Sequence, residues 1–451
     1  MSATKPVIET AREVLQTAHA AGATSADVVV VSQEAHAASV RLGEVESVEL
    51  SRQKRLGLRC FRGHSSAIAS TADFSASGLE SFVRETVAMA NVLPEDPDSG
   101  LPDATLLERN APDLQLEDPG GFHIDGDGSI TAARDCEEAA MGADPRIRNS
   151  EGATSSASAS EIAYASSIGF EGHYRTTNHS LSVSPIAEEN DAMQGDYWWD
   201  SARSREDLAD PAEIGRIAAA RTLRRLGARK LATTRAPVIF EAPIAASLLG
   251  HLAGAICGGA LYRKLSFLQE RLGEVIASPL VQITDEGRLP GGPASRPFDA
   301  EGLPTRSTTI VKDGRLESCL LDTYAGRKSG RPSTGSASRS IGDAPGASPT
   351  NFRLAPGLTP ASDLITGISR GLLVTSLSGM GVNTITGDYS RGASGLWIEG
   401  GEIAYPVEEI TIAGNLIDMF QSIDALGDDL RPRSGIAAPS LRIAEMTIAG
   451  S

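Results

Sequence analysis

The chain has 451 residues, enough for about two to four domains, and its 41% hydrophobic and 22% charged residues are ordinary for a globular protein. Its formal net charge of −17 repels phosphate backbones and argues against nucleic-acid binding. The sequence contains no run of about 18 apolar residues, which argues against a membrane span, and its N-terminus lacks the pattern of a signal peptide.

Residues 1–115 predict an N-terminal α+β domain that ends in a proline-rich linker. Apolar residues at helical spacing over 7–18 predict a helix that stops near Gly22, and the valine-rich run 27–32 predicts a buried strand. Alternating segments predict two hairpins, with turns at 42–44 and 62–64.

A second helix is predicted just after these hairpins. Ser77 and Glu80 have the spacing of a capping box, and apolar residues continue at helical spacing to Val87. Residues 93–121 contain five prolines among acidic residues, which predicts a linker or an extended strap.

Residues 116–230 predict a central domain of helices around a β-meander. A helix is expected over 129–142, and the Ser-, Thr- and Ala-rich segment 147–199 predicts the meander. A second helix is expected from Asp210, its N-cap, to Gly227.

Residues 231–451 predict a large, mostly-β C-terminal domain. A strand at 237–240 precedes a helix over 244–256, whose packing face is expected to use Gly250, Gly254 and Ala255. Glycine-bounded strands are predicted at 281–284, 308–311, 316–321, 372–377, 396–398 and 403–405. The fold class is therefore α+β, with a helix-flanked antiparallel sheet region preceding the mostly-β domain.

The four cysteines carry no recognisable chemistry. They form no CxxC pair, so neither a zinc knuckle nor a disulfide framework is indicated, and a reducing, cytoplasmic setting is expected; they are Cys60, Cys136, Cys257 and Cys319. No G-x-S-x-G nucleophile motif occurs. Arg263 and Lys264 near Ser266 are compatible with an amine-activated serine, but a solvated helix end is the preferred interpretation.

A metal site of this chain's own is not predicted. Cys257 lies six residues after His251, about 240° around a helix, so the two cannot share a metal there. His173 and His179 would be about 20 Å apart on a single strand. We therefore expect no catalytic or metal-binding residue in this chain.

One glycine-rich run, residues 379–398, has two interpretations. Its Gly, Ser and Thr content suits strands that another backbone approaches closely, such as a peptide added at a sheet edge, or a cluster of structural turns. Under the first interpretation, the candidate substrate-lining residues are Thr386, Gly387, Asp388, Tyr389 and Ser390.

Several ordered blocks resemble the TldD/PmbA family, known as modulators of DNA gyrase, and in particular its TldE/PmbA branch. The N-terminal blocks are 45–49, 56–59, 69–73 and 93–103. The C-terminal blocks are 266–268, 299–302, 333–335, 379–390, 395–399, 411–416 and 439–450.

The resemblance implies a PmbA/TldD-like fold and a subunit of a heterodimeric zinc peptidase with a hollow interior. In the TldD branch, a His-Glu-x-x-x-His helix and a distant cysteine hold zinc. The equivalent helix here is 250–255, which lacks the Glu and the second His, and the equivalent block 428–434 has no cysteine. Zinc is therefore expected in a TldD-like partner, with no cofactor in this chain.

The resemblance also implies the substrates: small unfolded peptides, such as leader segments of peptide antibiotics and labile antitoxins. The chain is expected to form a heterodimer with the TldD-like subunit, or a homodimer when alone. Two alternatives remain: an autonomous homodimeric peptidase with an unrecognised site, and a non-enzymatic protein that binds gyrase or an antitoxin.

Overall fold

The computed structural model describes residues 6–190 and 192–450. Residues 1–5, which belong to the segment inspected for a signal peptide, and residue 451, the last of the predicted third domain, lie outside the described residues. The N-terminal part comprises α1 (Val7–Ala20), β1 (Ser25–Arg41), β2 (Glu44–Arg62), β3 (Ser65–Thr71) and α2 (Ala76–Ala90). Both predicted hairpins are present, and their strands are longer than predicted.

The start of α2 corrects the predicted capping box. The N-cap is Ser75, not Ser77, because Ser75 has extended backbone angles and its hydroxyl accepts the Gly78 N–H at 3.1 Å. Ser77 lies inside the first turn. Glu80 instead pairs with Arg84 at 2.6 Å, one turn further along the helix.

The proline-rich segment packs as a strap across the molecule. It contains a short 3-10 turn at Ala104–Leu106 and otherwise has no regular structure between α2 and the next helix. Glu108 N–H donates to the carbonyl of Gly302, and Leu114 accepts from Gly291 N–H at 2.7 Å. The strap therefore links the N-terminal half to the C-terminal domain.

The central part adds two helices and four strands to the same sheet. These are α3 (Gly126–Met141), β4 (Ile147–Ser166), β5 (Phe170–Glu189), β6 (Ala192–Gly195), β7 (Trp198–Ala202) and α4 (Pro211–Leu223). As predicted, Asp210 caps α4, with Pro211 in the first turn.

One seven-stranded sheet joins the two parts, in the order β3-β2-β1-β4-β5-β6, with β7 also paired to β5. Strands from both sides of the predicted boundary at residue 115 therefore share a sheet. Helices α1 and α2 share one buried cluster with Val28 and Val30, and α3 and α4 share another with Val40. Because these three β1 residues have even numbers, all four helices lie on one face of the sheet.

The C-terminal part is the mostly-β domain that the sequence predicts. Its helices are α5 (Ala242–Ala255), α6 (Gly258–Tyr262), α7 (Thr323–Ser329) and α8 (Leu416–Gln421). Its strands are β8 (Thr234–Phe240), β9 (Ile283–Glu286), β10 (Ser307–Lys312), β11 (Arg315–Leu316), β12 (Ala337–Ser338), β13 (Gly346–Ala347), β14 (Phe352–Leu354), β15 (Arg370–Ser378), β16 (Asp388–Glu399), β17 (Glu402–Asn415), β18 (Ile423–Leu426), β19 (Ile436–Ala437) and β20 (Leu441–Ala449).

The main C-terminal sheet has the order β17-β16-β15-β8-β20-β18, and an additional β17–β20 pairing closes it into a ring. Helix α5 packs its buried leucines, Leu248, Leu249 and Leu252, into the core with Trp397. A second sheet, β11-β10-β9-β14-β19, adds further strands to this core.

Two local predictions in this domain are wrong. The strand predicted over 316–321 ends at Leu316, because Leu320 N–H donates to Ile256 and Leu321 N–H donates to Thr334 instead of to a strand. Gly254 does not belong to a packing face, because it is exposed and a Cβ there would meet nothing within 4 Å. Among the described residues, no helix has the length and apolar character needed to cross a membrane.

Candidate functional site

Of the two segments that the family resemblance pairs, 250–255 and 428–434, the second leads into a strand that packs beside the first. The first is on α5, and the second immediately precedes β19, which packs along α5. A Cβ built on Gly250 would lie 3.8 Å from the terminal methyl carbon of Ile436. At this point the helix therefore faces a hydrocarbon side chain.

His251 is half-buried on α5, next to this contact. Its ring lies 6.1 Å from that of Tyr389, in an edge-on orientation. Burial lowers the pKa of His251, and the cation of Arg391 lowers it further. Its Nε2 atom is buried and has no hydrogen-bond partner among the described residues. Both effects favour the neutral form of the His251 imidazole.

Tyr389 and Arg391 complete a small group, here called the α5 cluster (His251, Tyr389 and Arg391). Burial raises the pKa of Tyr389 to about 12, while Arg391 acts in the opposite direction. Arg391 Nε donates to the carbonyl of Gly379 at 3.1 Å and so ties the glycine-rich turn to β16. The cluster thus combines one neutral ring, one protonated phenol and one cation.

The candidate residues at the start of β16 divide into exposed and buried positions. Thr386, Asp388 and Ser390 are exposed, whereas Gly387 and Tyr389 are buried. Thr386 Oγ1 donates to Asp388 Oδ2 at 2.6 Å, and Gly387 has φ +83°, which favours glycine. Only the three exposed side chains are available to a peptide.

The backbone of residues 388–390 already has neighbours on both sides. β17 pairs with it from Ala413 to Asn415, and Val382 forms a bridge to Tyr389 on the other side. A Cβ on Gly381 would lie 1.8 Å from the carbonyl oxygen of Ser390. The closely approaching backbone at this point is therefore this chain's own turn.

The residues near His251 do not fit a zinc ion. Cys257 Sγ lies 3.2 Å from the carbonyl of Ala253, and burial raises the pKa of this thiol to about 12. Across residues 6–190 and 192–450, no group of three or more His, Cys, Asp or Glu is placed to hold a metal ion. Zinc needs several such ligands around one point, so no step through zinc is derived for this chain.

The surroundings of His173, His179 and Ser266 also indicate structural roles. His173 and His179 both lie on β5; His173 is exposed, whereas buried His179 has Nε2 3.1 Å from Asp118 Oδ2. Ser266 is buried and its Oγ donates to the carbonyl of Ala255 at 2.7 Å. Because this proton is held by a carbonyl oxygen and not by a base, Ser266 is not an activated nucleophile.

A second surface, which the sequence analysis did not single out, lies on the helix-free face of the seven-stranded sheet. Its central part, here called the bare face, consists of half-buried small and polar side chains from adjacent strands; they are Ala35, Ala37 and Ser39 on β1, Thr154, Ser156, Ser158 and Ser160 on β4, and Thr176, Asn178, Ser180 and Ser182 on β5. Ser156 and Ser180 hydrogen-bond at 2.8 Å across the strands. None of these side chains is charged.

The C-terminal domain bounds the bare face at one end. There Phe298 and Ile341 of that domain pack on Val29 and Tyr164 of the sheet. The bare face thus presents hydroxyl, amide and methyl groups beside the domain that carries the α5 cluster. Such a surface can accept and donate hydrogen bonds without selecting a particular side chain of a bound peptide.

Comparison with known proteins identifies the family. Models of the first, central and C-terminal domains of PmbA/TldA metallopeptidases match residues 26–90, 122–226 and 233–450. Metalloprotease PmbA of Escherichia coli O157:H7 is 41% identical over 94% of this chain and 92% of its own length. A candidate modulator of DNA gyrase from Bacteroides thetaiotaomicron has a crystal structure with TM-score 0.91 and 29% identity, covering 98% of each chain.

The crystal structure of TldE from Thermococcus kodakarensis has a TM-score of 0.85 at 20% identity, covering 98% of this chain and all of its own, and shows the same fold. Agreement over essentially the whole length, in all three domains, confirms the resemblance that the ordered sequence blocks indicate. The chain belongs to the PmbA/TldD metallopeptidase family.

Proposed function

We propose that this chain is the metal-free, TldE-type subunit of a heterodimeric zinc peptidase and helps a TldD-type partner to hydrolyse small unfolded peptides. The observation that carries the proposal is the environment of α5. Where the TldD branch is expected to place its metal-binding helix, this chain has Gly250 against Ile436 and a neutral His251 beside the phenol of Tyr389.

The bare face supports a role in substrate passage. Its hydroxyl and amide groups can hydrogen-bond to a peptide backbone, and its short side chains leave room for substrate side chains of different size. The side chains of the bare face itself are uncharged, and the guanidinium of Arg203 donates to one of them, Thr176 Oγ1, at 2.7 Å. Selection would then depend on whether the substrate is unfolded more than on its sequence.

Under this proposal, a zinc ion held by the TldD-type partner would supply the Lewis acid for peptide hydrolysis. This chain contributes no ligand; it closes the other side of the chamber and keeps the substrate extended. The substrates are expected to include leader segments of peptide antibiotics and labile antitoxins, and the complex is expected to act in the cytoplasm.

Reconstitution tests this function. The purified chain, a TldD-type protein from the same organism and their equimolar mixture are each incubated with an unfolded peptide and with a stably folded domain that contains the same peptide sequence. We expect cleavage of the unfolded substrate by the mixture alone, abolished by a chelator. Equal cleavage by the TldD-type protein without this chain would contradict the proposal.

A further inference from the structure

A cavity of about 700 Å³ opens on the helix-covered face of the seven-stranded sheet, opposite the bare face. Its base is a row of directly facing residues, His36 on β1, Ala157 on β4 and His179 on β5. His36 has an even number, as Val28 and Val30 do, so this row lies on the side that the helices cover. The short side chain of Ala157 leaves a gap between the two imidazoles.

Small residues on α3 keep this space open. Gly128 and Ala132 of the helix line the cavity, and Asp135, less than one turn further on, lines it as well. A Cβ on Gly128 would overlap the carboxylate of Asp125 and approach a terminal nitrogen of Arg205. A larger residue at this position would therefore disrupt the cap of α3, so the local structure itself maintains the opening.

His36 contributes a buried ring nitrogen that has no partner. The residue is only 7% exposed, and its Nε2 lies 3.1 Å from Ser129 Oγ in the first turn of α3. Its Nδ1 has no hydrogen-bond partner among the described residues. Burial lowers the pKa of His36, against the effect of Asp125. In the neutral tautomer whose Nε2–H donates to Ser129, Nδ1 is a buried acceptor without a donor, which is unfavourable until a ligand supplies one.

The cavity carries an excess of negative charge. One arginine, Arg205, is outnumbered by four aspartates that line the same space, Asp118, Asp125, Asp135 and Asp210. Despite the burial of Asp118, hydrogen bonds from backbone N–H groups lower its pKa, and a hydrogen bond from Arg205 lowers the pKa of Asp125. Burial lowers the pKa of His179 as it does that of His36, so these two imidazoles do not balance the carboxylates.

This lining restricts the class of ligand. The carboxylates would repel an anion, and across the described residues no three His, Cys, Asp or Glu side chains are placed to hold a metal ion. An alkylammonium group combines a positive charge, which suits Asp118 and Asp135, with N–H groups that can donate to His36. A volume of about 700 Å³ is within the range of small-molecule sites, so the cavity accommodates an alkyl chain as well.

We propose that the cavity over His36 and Ala157 binds a primary alkylammonium group, which donates to His36 Nδ1 and faces the carboxylates of Asp118 and Asp135. The group can belong to a free polyamine or to a lysine side chain of another protein, since both present the same chemistry. The sheet itself separates this site from the bare face. Binding there therefore does not depend on the proposed peptidase function.

NMR of the histidine ring nitrogens tests the site on the full-length chain. The protein, which has 7 histidines, is labelled with nitrogen-15 in histidine and titrated with n-butylamine at neutral pH and constant ionic strength. We expect a saturable shift of the His36 ring nitrogens and none at His251 in the C-terminal domain. Butyltrimethylammonium has the same charge but no N–H group, so its affinity should be lower by about tenfold or more.

Two substitutions on α3 test the lining of the cavity. Ala132→Leu fills the space with a residue that favours the helix, and it should weaken binding by about tenfold or more. Asp135→Asn removes an exposed carboxylate and should weaken binding by about fivefold. Glu402→Gln is the matched control, because it removes one exposed charge in the C-terminal domain and should leave the affinity unchanged. Thermal unfolding checks that each variant is folded.

Putrescine and Nα-acetyllysine amide identify the source of the ammonium group. Tighter binding of putrescine would support a free polyamine, and tighter binding of the lysine derivative would support a protein side chain. The lack of a saturable shift up to about 10 mM, above the millimolar range of weak ligands, would overturn the proposal. So would equal binding of butyltrimethylammonium, or Ala132→Leu and Asp135→Asn variants that bind as the natural protein does.

Discussion

Arg339 donates a hydrogen bond to Asp27 Oδ1 at 2.6 Å and thereby joins the C-terminal domain to the first strand of the N-terminal sheet. Arg59 Nε donates to the other oxygen of Asp27 at 2.9 Å, and Asp27 is fully buried. Two cations balance this carboxylate and lower the pKa of Asp27 against the effect of its burial. The contact holds the bare face in a fixed position beside the domain that carries the α5 cluster.

Arg339→Met should destabilise the protein by about 3 kcal/mol, because Asp27 then loses one of its two buried cations. The measurement is the free energy of unfolding in urea. Arg235→Gln is the matched control, since its ion pair with Glu445 is 71% and 58% exposed and should contribute at most about 1 kcal/mol. An Arg339→Met variant as stable as this control would contradict the structural role of the buried pair.

The buried carboxyl of Glu301 should make the stability of the folded protein depend on pH. Its burial raises the pKa of this carboxyl, with Arg59 acting in the opposite direction and Asp299 adding to the rise. A raised pKa means that the folded protein binds the proton more tightly than the unfolded chain does. Protonation of Glu301 therefore contributes to the free energy of unfolding at low pH. It is lost as the pH rises from the ordinary carboxyl range toward neutrality.

Glu301→Gln should remove this dependence while keeping an acceptor for the Thr323 N–H, which lies 2.8 Å from Glu301 Oε2. Unfolding free energies of the natural protein and the variant are compared at pH 5, 6, 7 and 8. The stability of the variant relative to the natural protein should increase with pH. A difference that stays constant across this range would show that Glu301 does not titrate as described.

If peptides pass over the bare face, a bulky side chain placed there should impair proteolysis without unfolding the chain. Ser158→Trp adds a large ring to the middle of the strip, where Ser158 faces Asn178 on the neighbouring strand. In the reconstituted complex we expect peptide cleavage to fall by about tenfold, or about 1.4 kcal/mol, with unchanged subunit association. Ser81→Trp on the exposed side of α2 is the control, and equal activity of the two variants would argue against peptide passage over this face.

Replacing either of two glycines by alanine should change the stability of the protein, in opposite directions. Gly254→Ala should stabilise the protein by about 0.5–1 kcal/mol, because Gly254 lies in a helix and its Cβ would enter open space. Gly381→Ala should destabilise it, since the new Cβ would overlap the Ser390 carbonyl oxygen. Thermal unfolding of the two variants checks both signs; a more stable Gly381→Ala protein would show that this close approach is not required.

The sequence predicts those features that depend on local periodicity. The β1–β2 hairpin follows from alternation about Leu42 and Gly43, and the start of α4 from the cap at Asp210 followed by proline. For β16, the sequence indicates only a segment that contains the site candidates and does not give the strand pairing. A glycine-rich run accepts a closely approaching backbone, and that backbone can be either a bound peptide or a turn of the same chain.

Features that depend on distant contacts could not be predicted. Asp27 and Arg339 are 312 positions apart, and nothing in either local pattern indicates the other. The Ser-, Thr- and Ala-rich composition of residues 147–199 predicts strands, yet it could not show which face of the sheet the helices would leave uncovered. That depends on the placement of all four helices on one side.

The location of zinc tests the central claim most directly. The isolated chain and its complex with a TldD-type partner are analysed by native mass spectrometry together with elemental analysis, at matched protein concentration. The account predicts zinc in the complex, retained by the partner after the subunits are separated, and none in stoichiometric amount on this chain. Stoichiometric zinc held by the isolated chain, together with its own cleavage of an unfolded peptide, would contradict the account.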